Sequence, residues 1–213
     1  MAGLDDWLSV ARADRLDDVR ERILTGYLSG KPFTPYVPTI ALPRPLTRVL
    51  DFGCGLGRNF PYLQTIATTI VGFDLPPMIE RCRPLIDPRV QLTADWTEIA
   101  GGRYDLIFAT LVLQHIEPDA CRSYLADFAR LAPAIYLLTR HRSDFGDNMF
   151  DLIGRTQLFE AGPCVDVEHD PDTHQLRVLG ETTFETLRGA ADGGHYEVVL
   201  RVASRSRGAS APR

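Results

Sequence analysis

The sequence predicts an α/β fold, a doubly wound and mostly parallel β-sheet with an N-terminal helical cap. From residue 46 onward, short and continuously apolar runs alternate with helical patterns, as expected when strands are buried on both faces. Such alternation builds βαβ units and a sheet that helices cover on both sides. Before that point, a helical pattern followed by closely spaced prolines predicts the cap and a linker.

The N-terminal segment justifies the cap. Leu16, Val19, Ile23 and Tyr27 recur at three- and four-residue spacing with mostly charged residues between them, which is the pattern of an amphipathic helix. The prolines that follow lack a backbone N–H and prevent a continuous helix. We therefore predict a helical cap and a Pro-rich linker over residues 1–45.

Two further segments complete the predicted domain organisation. Residues 46–203 form one globular domain, because a chain of 213 residues is long enough to bury a core without disulfides or metals. Residues 204–213 are rich in Arg, Ser, Ala and Gly, and we predict that they form a frayed tail.

The sheet follows from five apolar runs. The predicted parallel strands are Thr47–Phe52, Thr69–Phe73, Val90–Thr93, Tyr104–Ala109 and Ala134–Thr139. Helical patterns lie between several of them, over 58–66, 77–86 and 118–131. The last pattern has Pro118 in its first turn and an apolar stripe along one side.

The end of the sequence is less regular. Val165–Glu168 and Gln175–Leu179 flank an Asp-Pro-Asp turn, so we predict a hairpin. A T-x-x-E capping box then predicts a helix over 183–192. His195–Ala203 is apolar enough to form a terminal strand.

Composition and charge exclude several classes of protein. A net charge of −5 argues against a large phosphate-binding surface, so we do not expect a nucleic-acid partner. The sequence shows no apolar run of membrane-spanning length and no signal peptide, which predicts a cytoplasmic protein without a membrane partner. Cys54, Cys82, Cys121 and Cys164 are irregularly spaced, which predicts reduced thiols and no metal site.

The segment VLDFGCGLGRN is the most informative part of the sequence. A buried strand ends near Asp51, and Gly53, Gly55 and Gly57 follow at alternate positions. Glycines permit unusual backbone angles and let another group approach the chain closely, and ligands bind at the carboxyl ends of strands in such sheets. The dinucleotide fingerprint G-x-G-x-x-G fails here because Arg58 stands where its last glycine belongs.

Three later features extend this pattern. Asp74 ends the second predicted strand, at a distance from the glycine loop that suits an acid binding ribose hydroxyls. Asp95 and Trp96 follow the third strand. The run YDLIFATLVLQHI contains the fourth strand and the loop after it.

In order and spacing, residues 46–140 resemble the class I S-adenosylmethionine (SAM) dependent methyltransferases. The resemblance implies a Rossmann-like sheet, SAM as the cofactor and S-adenosylhomocysteine (SAH) as the product. It implies that Asp51 acts near the amino-acid end of SAM, that Asp74 holds the ribose, and that Asp95 contacts the adenine. The expected cofactor-binding residues are Asp51, Gly53, Gly55, Gly57, Asn59, Asp74, Leu75, Asp95, Trp96, Thr110 and Leu111.

The chain departs from the family at its C-terminal end. The family usually has an antiparallel seventh strand beside the fifth, whereas only one clear strand follows the helix predicted over 183–192. We therefore expect either that the seventh strand is absent, or that the hairpin within 163–180 replaces it or roofs the acceptor site.

Two histidines are candidate catalytic bases. Methyl transfer is an in-line displacement, in which the enzyme aligns the acceptor and excludes water, and a base matters where the acceptor must lose a proton. His115 follows the fourth strand, and His141 follows the fifth.

The leading hypothesis is a methyltransferase for a small-molecule acceptor, a hydroxyl or carboxylate of a specialised metabolite, in a monomer or homodimer. A peptide or RNA acceptor, and a non-catalytic SAM-binding regulatory module, remain alternatives. A nicotinamide-dependent oxidoreductase is disfavoured by Arg58 and by the lack of a Tyr-x-x-x-Lys pair, because Lys31 is the only lysine.

Overall fold

The structure is a computed structural model of the chain. It describes residues 4–13, 15–25, 34–39, 41–116, 118–140, 166–170, 175–179, 184–192 and 195–202. The helices within these ranges are α1 (Leu4–Ala11), α2 (Leu16–Thr25), α3 (Phe60–Leu63), α4 (Pro76–Cys82), α5 (Trp96–Ala100) and α6 (Pro118–Leu131). The strands are β1 (Leu46–Phe52), β2 (Ala67–Phe73), β3 (Gln91–Thr93), β4 (Leu106–Thr110), β5 (Ala134–Arg140), β6 (Asp166–Asp170), β7 (Gln175–Leu179), β8 (Phe184–Asp192) and β9 (His195–Val202).

The large sheet has seven strands in the order β3-β2-β1-β4-β5-β9-β8. Strands β1 to β5 run parallel, and β9 pairs antiparallel with both β5 and β8. The predicted Rossmann-like, mostly parallel fold is therefore confirmed. The strand order changes direction at β1, between β2 and β4, and such a switch point opens a crevice at the carboxyl ends of the strands.

The central strands are buried on both faces. All five residues of β4 are buried, and the neighbouring residues Ile107 and Phe108 belong to two different hydrophobic clusters. Leu50 and Val49 of β1 divide between the same two clusters. Consecutive side chains of a strand point to opposite faces, so the continuous apolar runs in the sequence reflect two cores.

The predicted helices of the central region differ in how far they extend. The helix predicted over 118–131 forms α6 with the same bounds. The helix predicted over 77–86 is α4 followed by a 3-10 turn at Arg83–Leu85. The helix predicted over 58–66 shrinks to the single turn α3, because the five residues before it form turns. The short helix α5 was not predicted from the sequence.

The helix predicted over 183–192 is wrong. These residues form β8, which pairs antiparallel with β9 from Phe184↔Val202 to Asp192↔His195. The T-x-x-E pattern is a local signal for a helix. Pairing with a neighbouring strand outweighs it, because strand formation depends on tertiary context more than on intrinsic preference.

The antiparallel pair β8–β9 supplies the seventh strand that the family has beside its fifth. β9 lies antiparallel beside β5, with β8 outside it, so the expectation that this strand is absent, or is replaced by the hairpin within 163–180, is wrong. β6 and β7 do form the predicted antiparallel hairpin. They make a separate two-stranded sheet.

The helical cap packs on the carboxyl-end side of the sheet. Val10, Ala11 and Val19 from α1 and α2 form a cluster with Leu56 in the glycine loop and Met78 in α4. The apolar side of the cap therefore covers the loop that follows β1. None of the helices in the described ranges combines the length and the apolar character that crossing a membrane requires.

The structure describes the side chains of two of the four cysteines that were predicted to be reduced thiols. Cys54 and Cys82 are buried free thiols, as predicted for them. The side chains of Cys121 and Cys164 lie outside the described part of the chain.

Candidate functional site

Three glycines shape the loop that follows β1. Gly53, Gly55 and Gly57 have φ angles of +72°, +57° and +81°, a region that residues with a Cβ rarely adopt. A Cβ at Gly53 would lie 2.4 Å from Val112 Cγ2, and one at Gly57 would lie 2.6 Å from Phe60 Cδ2. The backbone conformation thus favours glycine at all three positions, and close packing requires it at Gly53 and Gly57.

Replacing Gly53 by Ala is expected to lower the free energy of unfolding by about 1–3 kcal/mol. The new methyl group would collide with Val112, and the positive φ would strain the backbone. Thermal melting measures the loss. Gly101→Ala is the matched control, because Gly101 has a φ of −79° and its added Cβ would meet nothing nearer than 3.5 Å. Equal melting temperatures for the two variants would contradict the prediction.

Hydrogen bonds fix the glycine loop to the end of β2. The Gly53 and Cys54 amides both donate to the Phe73 carbonyl, at 2.9 and 3.1 Å. The Asp74 carboxylate accepts from Gly55 N through Oδ2 and from Leu75 N through Oδ1, each at 2.7 Å. Burial raises the pKa of Asp74 to about 6, against the effect of these two amides.

A second acid lies at the end of β1. Asp51 is 0% exposed, and its Oδ1 accepts from Asn59 Nδ2 at 3.5 Å. Its Oδ2 has no hydrogen-bond partner among the described residues. Burial raises the pKa of Asp51 to about 7, the Asn59 hydrogen bond lowers it, and the negative charge of Asp74 raises it further. The fold thus buries beside the crevice a carboxyl group whose ionisation is energetically unfavourable.

A cavity of about 300 Å³ opens where β1, β2 and β4 end. Seven of the predicted cofactor-binding residues line it: Gly53, Gly55, Asn59, Asp74, Leu75, Thr110 and Leu111. Asp51 is fully buried and adjoins the wall through its contact with Asn59. The structure therefore brings most of the predicted residues to one place, although they come from three strand ends.

The predicted adenine-contacting pair lies outside the cavity wall. Asp95 is exposed and caps α5, with Oδ1 accepting from Thr97 N at 2.8 Å and from Thr97 Oγ1 at 2.7 Å. Trp96 packs edge-on against Tyr124, and its Nε1 donates to Asp127 Oδ2 at 2.9 Å. These partners occupy both side chains, so their contact with adenine stays a prediction.

Gly57 also lies outside the wall, and its space is filled by Phe60 and Ile86. Its positive φ shapes the loop on the side that packs against Phe60 and Ile86. Its contact with the cofactor likewise stays a prediction.

The candidate base His115 lines the cavity. It ends the 3-10 turn Leu113–His115 after β4. Its ring meets Trp7 of α1 edge-on, with ring centroids 4.9 Å apart. Leu111, at the start of this loop, has a φ of +55°, and its amide donates to Leu138 O at 2.7 Å. The second candidate, His141, lies outside the described residues.

Much of the cavity wall was not predicted from the sequence. The additional residues are mostly apolar or aromatic: Trp7, Tyr36, Phe52, Cys54, Arg58, Phe73, Met78, Val112, Ile116, Ala120 and Tyr124. For most of them, the neighbouring sequence does not distinguish a residue of the cavity wall from a residue of the hydrophobic core. Phe52 and Phe73 are the exceptions. Each stands at a strand end beside a motif acid, Asp51 or Asp74, and that position indicates a place in the cavity wall.

A family model described as a methyltransferase domain matches residues 12–187. No curated protein matches the sequence.

Solved structures share the fold. The mitomycin 7-O-methyltransferase MmcR is 16% identical with a TM-score of 0.52, over 74% of this chain and 49% of that chain. The PH0226 protein from Pyrococcus horikoshii OT3 is 15% identical with a TM-score of 0.50, over 74% of this chain and 83% of that chain. At such identities the likeness shows the fold alone.

The family match covers most of the chain, including the glycine loop, Asp51, Asp74 and the loop after β4. The chain therefore belongs to the methyltransferase domain family, and with it to the class I SAM-dependent methyltransferases whose motifs its sequence carries.

Proposed function

We propose that this protein transfers a methyl group from SAM to a small-molecule acceptor, a hydroxyl or carboxylate of a specialised metabolite. One observation carries the proposal. Gly53 and Gly55 of the glycine loop, Asp74 at the end of β2 and the candidate base His115 line one cavity, and Asp51 at the end of β1 adjoins it through Asn59. Trp7 of the cap closes part of the same cavity, and an enclosed site suits a compact acceptor.

The acids around the cavity fit a cationic cofactor. Asp51 Oδ2 is buried without a partner among the described residues, and Asp74 lies in the wall. A cation beside such carboxylates offsets part of the cost of burying them. The glycine loop also fits, because Gly53 and Gly55 in the wall have no side chain and let a ligand approach the backbone closely.

Most of the predicted cofactor-binding residues have a role in this proposal. Asp74 holds the ribose, Asp51 stabilises the amino-acid end electrostatically, and Asp95 with Trp96 borders the adenine. Gly53, Gly55 and Leu75 offer close approach at the wall. Thr110 and Leu111 face the methionine end.

When bound, SAM supplies an electrophilic methyl group on a sulfonium. The residues of the chain then have two tasks, to align the acceptor and to exclude water, and alignment alone can contribute about 7–11 kcal/mol in well-oriented cases. The Trp7 ring and the aromatic wall exclude water. His115 accepts the acceptor proton where the acceptor is a hydroxyl.

Replacing Asp74 by Ala is expected to weaken SAM binding about 10- to 100-fold. The variant loses the carboxylate that binds Gly55 N and Leu75 N, and with it the proposed contact to the ribose. Titration calorimetry measures the affinity. Asp87→Ala is the control, because Asp87 pairs with Arg89 on the surface, away from the cavity. If the wild type binds no SAM and Asp74→Ala changes nothing measured, the proposal fails.

The acceptor class is tested by incubating the protein with labelled SAM and a metabolite extract. Label in a small hydroxylated or carboxylated product supports the proposal. Label in peptide or RNA moves the acceptor to a macromolecule. SAM binding without any methylated product across broad acceptor classes identifies a non-catalytic module.

A further inference from the structure

Asn59 makes three hydrogen bonds that no local motif requires. It stands at the N-cap position of α3 yet makes no capping bond from its side chain. Its Oδ1 accepts from Tyr36 N at 3.1 Å, and its Nδ2 donates to Thr110 Oγ1 at 3.0 Å and to Asp51 Oδ1 at 3.5 Å. The residue is 3% exposed. A buried carboxamide thus joins the linker, β1 and β4.

The orientation of this carboxamide follows from its partners. A backbone N–H only donates, so the Tyr36 amide requires the oxygen of Asn59 on its side. The Nδ2 group must then face Thr110 and Asp51, where an ionised carboxylate is the better acceptor. Asn59 therefore favours the charged form of Asp51 by geometry.

We propose that Asn59 is a positioning residue of the methyl-transfer site, which orients the Asp51 carboxylate toward the cofactor and fastens linker residues 34–39 over the cavity. The part that concerns the cofactor rests on the function proposed above. The part that concerns the linker rests on the hydrogen bond between Tyr36 N and Asn59 Oδ1 alone.

The linker is a functional partner in this arrangement because its side chains reach the cavity. Tyr36 lines the wall, and the Arg58 guanidinium stacks on its ring at 4.6 Å from the centroid. A stacked guanidinium and a backbone hydrogen bond hold the same residue from two neighbouring positions of the glycine loop. Releasing Asn59 would remove one of these two attachments.

The ionisable groups near Asp51 influence the pH at which this carboxyl group ionises. The negative charge of Asp74, at the end of β2, raises the pKa of Asp51, and the charge of Asp51 in turn helps to raise the pKa of Cys54 in the glycine loop. Burial raises the pKa of Cys54 well above its ordinary range, so the thiol stays neutral. Loss of the Asn59 donor raises the pKa of Asp51, since that hydrogen bond lowers it.

The first test is the pH dependence of SAH affinity in Asn59→Ala. Calorimetry is expected to show about a tenfold loss at pH 6.5 and about a twofold loss at pH 8.0, because the variant ionises Asp51 at higher pH. Gln64→Ala, an exposed amide after the same helix, is expected to match the wild type at both. An equal loss of SAH affinity at both pH values would mean that Asn59 contributes only by packing, and it would overturn the proposed role toward Asp51.

The second test needs no cofactor. Amide hydrogen exchange of the peptide containing residues 34–39 is expected to be faster in Asn59→Ala than in the wild type or Gln64→Ala. Asn59→Asp keeps the acceptor for Tyr36 N, so its exchange is expected to stay near that of the wild type while its SAH affinity falls. Unchanged exchange in Asn59→Ala would overturn the role toward the linker. If the wild type binds no SAH, the proposed function fails, whereas the exchange result still decides the linker role.

Discussion

His115→Gln is expected to lower the rate of methyl transfer to a hydroxyl acceptor by about 10²–10⁴-fold while leaving SAH affinity nearly unchanged. The imidazole lies in the cavity wall directly after β4, and imidazole is the side chain suited to accept a proton near neutral pH. Glutamine keeps a similar size and polarity but is not a base. The measurement is SAH release with the acceptor found by labelled SAM.

A packing control separates chemistry from structure at this position. Trp7 contacts the His115 ring edge-on, so Trp7→Phe keeps an aromatic neighbour and leaves the imidazole in place. We expect this variant to lose far less turnover than His115→Gln. If His115→Gln turns over like the wild type and His141→Gln does not, the base is His141 and the assignment to His115 is wrong.

Asp51→Asn is expected to stabilise the protein more strongly as pH rises. The folded pKa of Asp51 is about 7 against an ordinary value of 3.8, so the folded state resists ionisation that the unfolded state undergoes readily. The wild type is therefore most stable below pH 3.8 with respect to this group, and it loses stability as pH rises through 7. Asparagine removes that loss, because it carries no charge at any pH.

The expected gain in the free energy of unfolding is under about 1 kcal/mol at pH 4 and up to about 4 kcal/mol at pH 8.5. Urea titrations at both pH values measure it. Asp105→Asn is a useful comparison, because one oxygen of Asp105 accepts from Thr47 N and Arg48 N at the N-terminal end of β1, away from the cavity. A gain for Asp51→Asn that is equal at both pH values would contradict the argument.

The same variant is expected to bind SAM less tightly. A group that costs stability in the free protein and strengthens binding is typical of a functional site, where stability and activity oppose each other. SAM affinity of Asp51→Asn, measured beside its unfolding curve, tests this opposition. A variant that gains stability and keeps full affinity would mean that Asp51 has no role in binding.

The sequence predicts the part of the site that lies along the chain. Asp51, Gly53 and Gly55 stand within a few residues of one another, and their spacing reflects one turn between a buried strand and a helix. Asp74 could be placed because parallel strands bring their carboxyl ends to one edge. These features depend on local geometry and on a regular sheet, which a single sequence records well.

The remaining parts depend on contacts between distant segments. Trp7 reaches the cavity because α1 packs on Leu56 and Met78, and nothing near residue 7 encodes that contact. β8 was predicted as a helix because its strand character comes from pairing with β9. Asn59 looked like part of the glycine motif, whereas its bonds lead to Tyr36 and Thr110.

The position of β9 affects how the protein can be divided into fragments. β9 supplies the ladder partners of β5 from Ala134↔Arg201 to Arg140↔His195, and β8 lies beyond it. A fragment cut where the family match stops, at residue 187, would expose the hydrogen-bonding edge of an apolar strand, and such edges recruit other chains into aggregates. A fragment that keeps the whole β5–β9 ladder must extend through Arg201, the partner of Ala134.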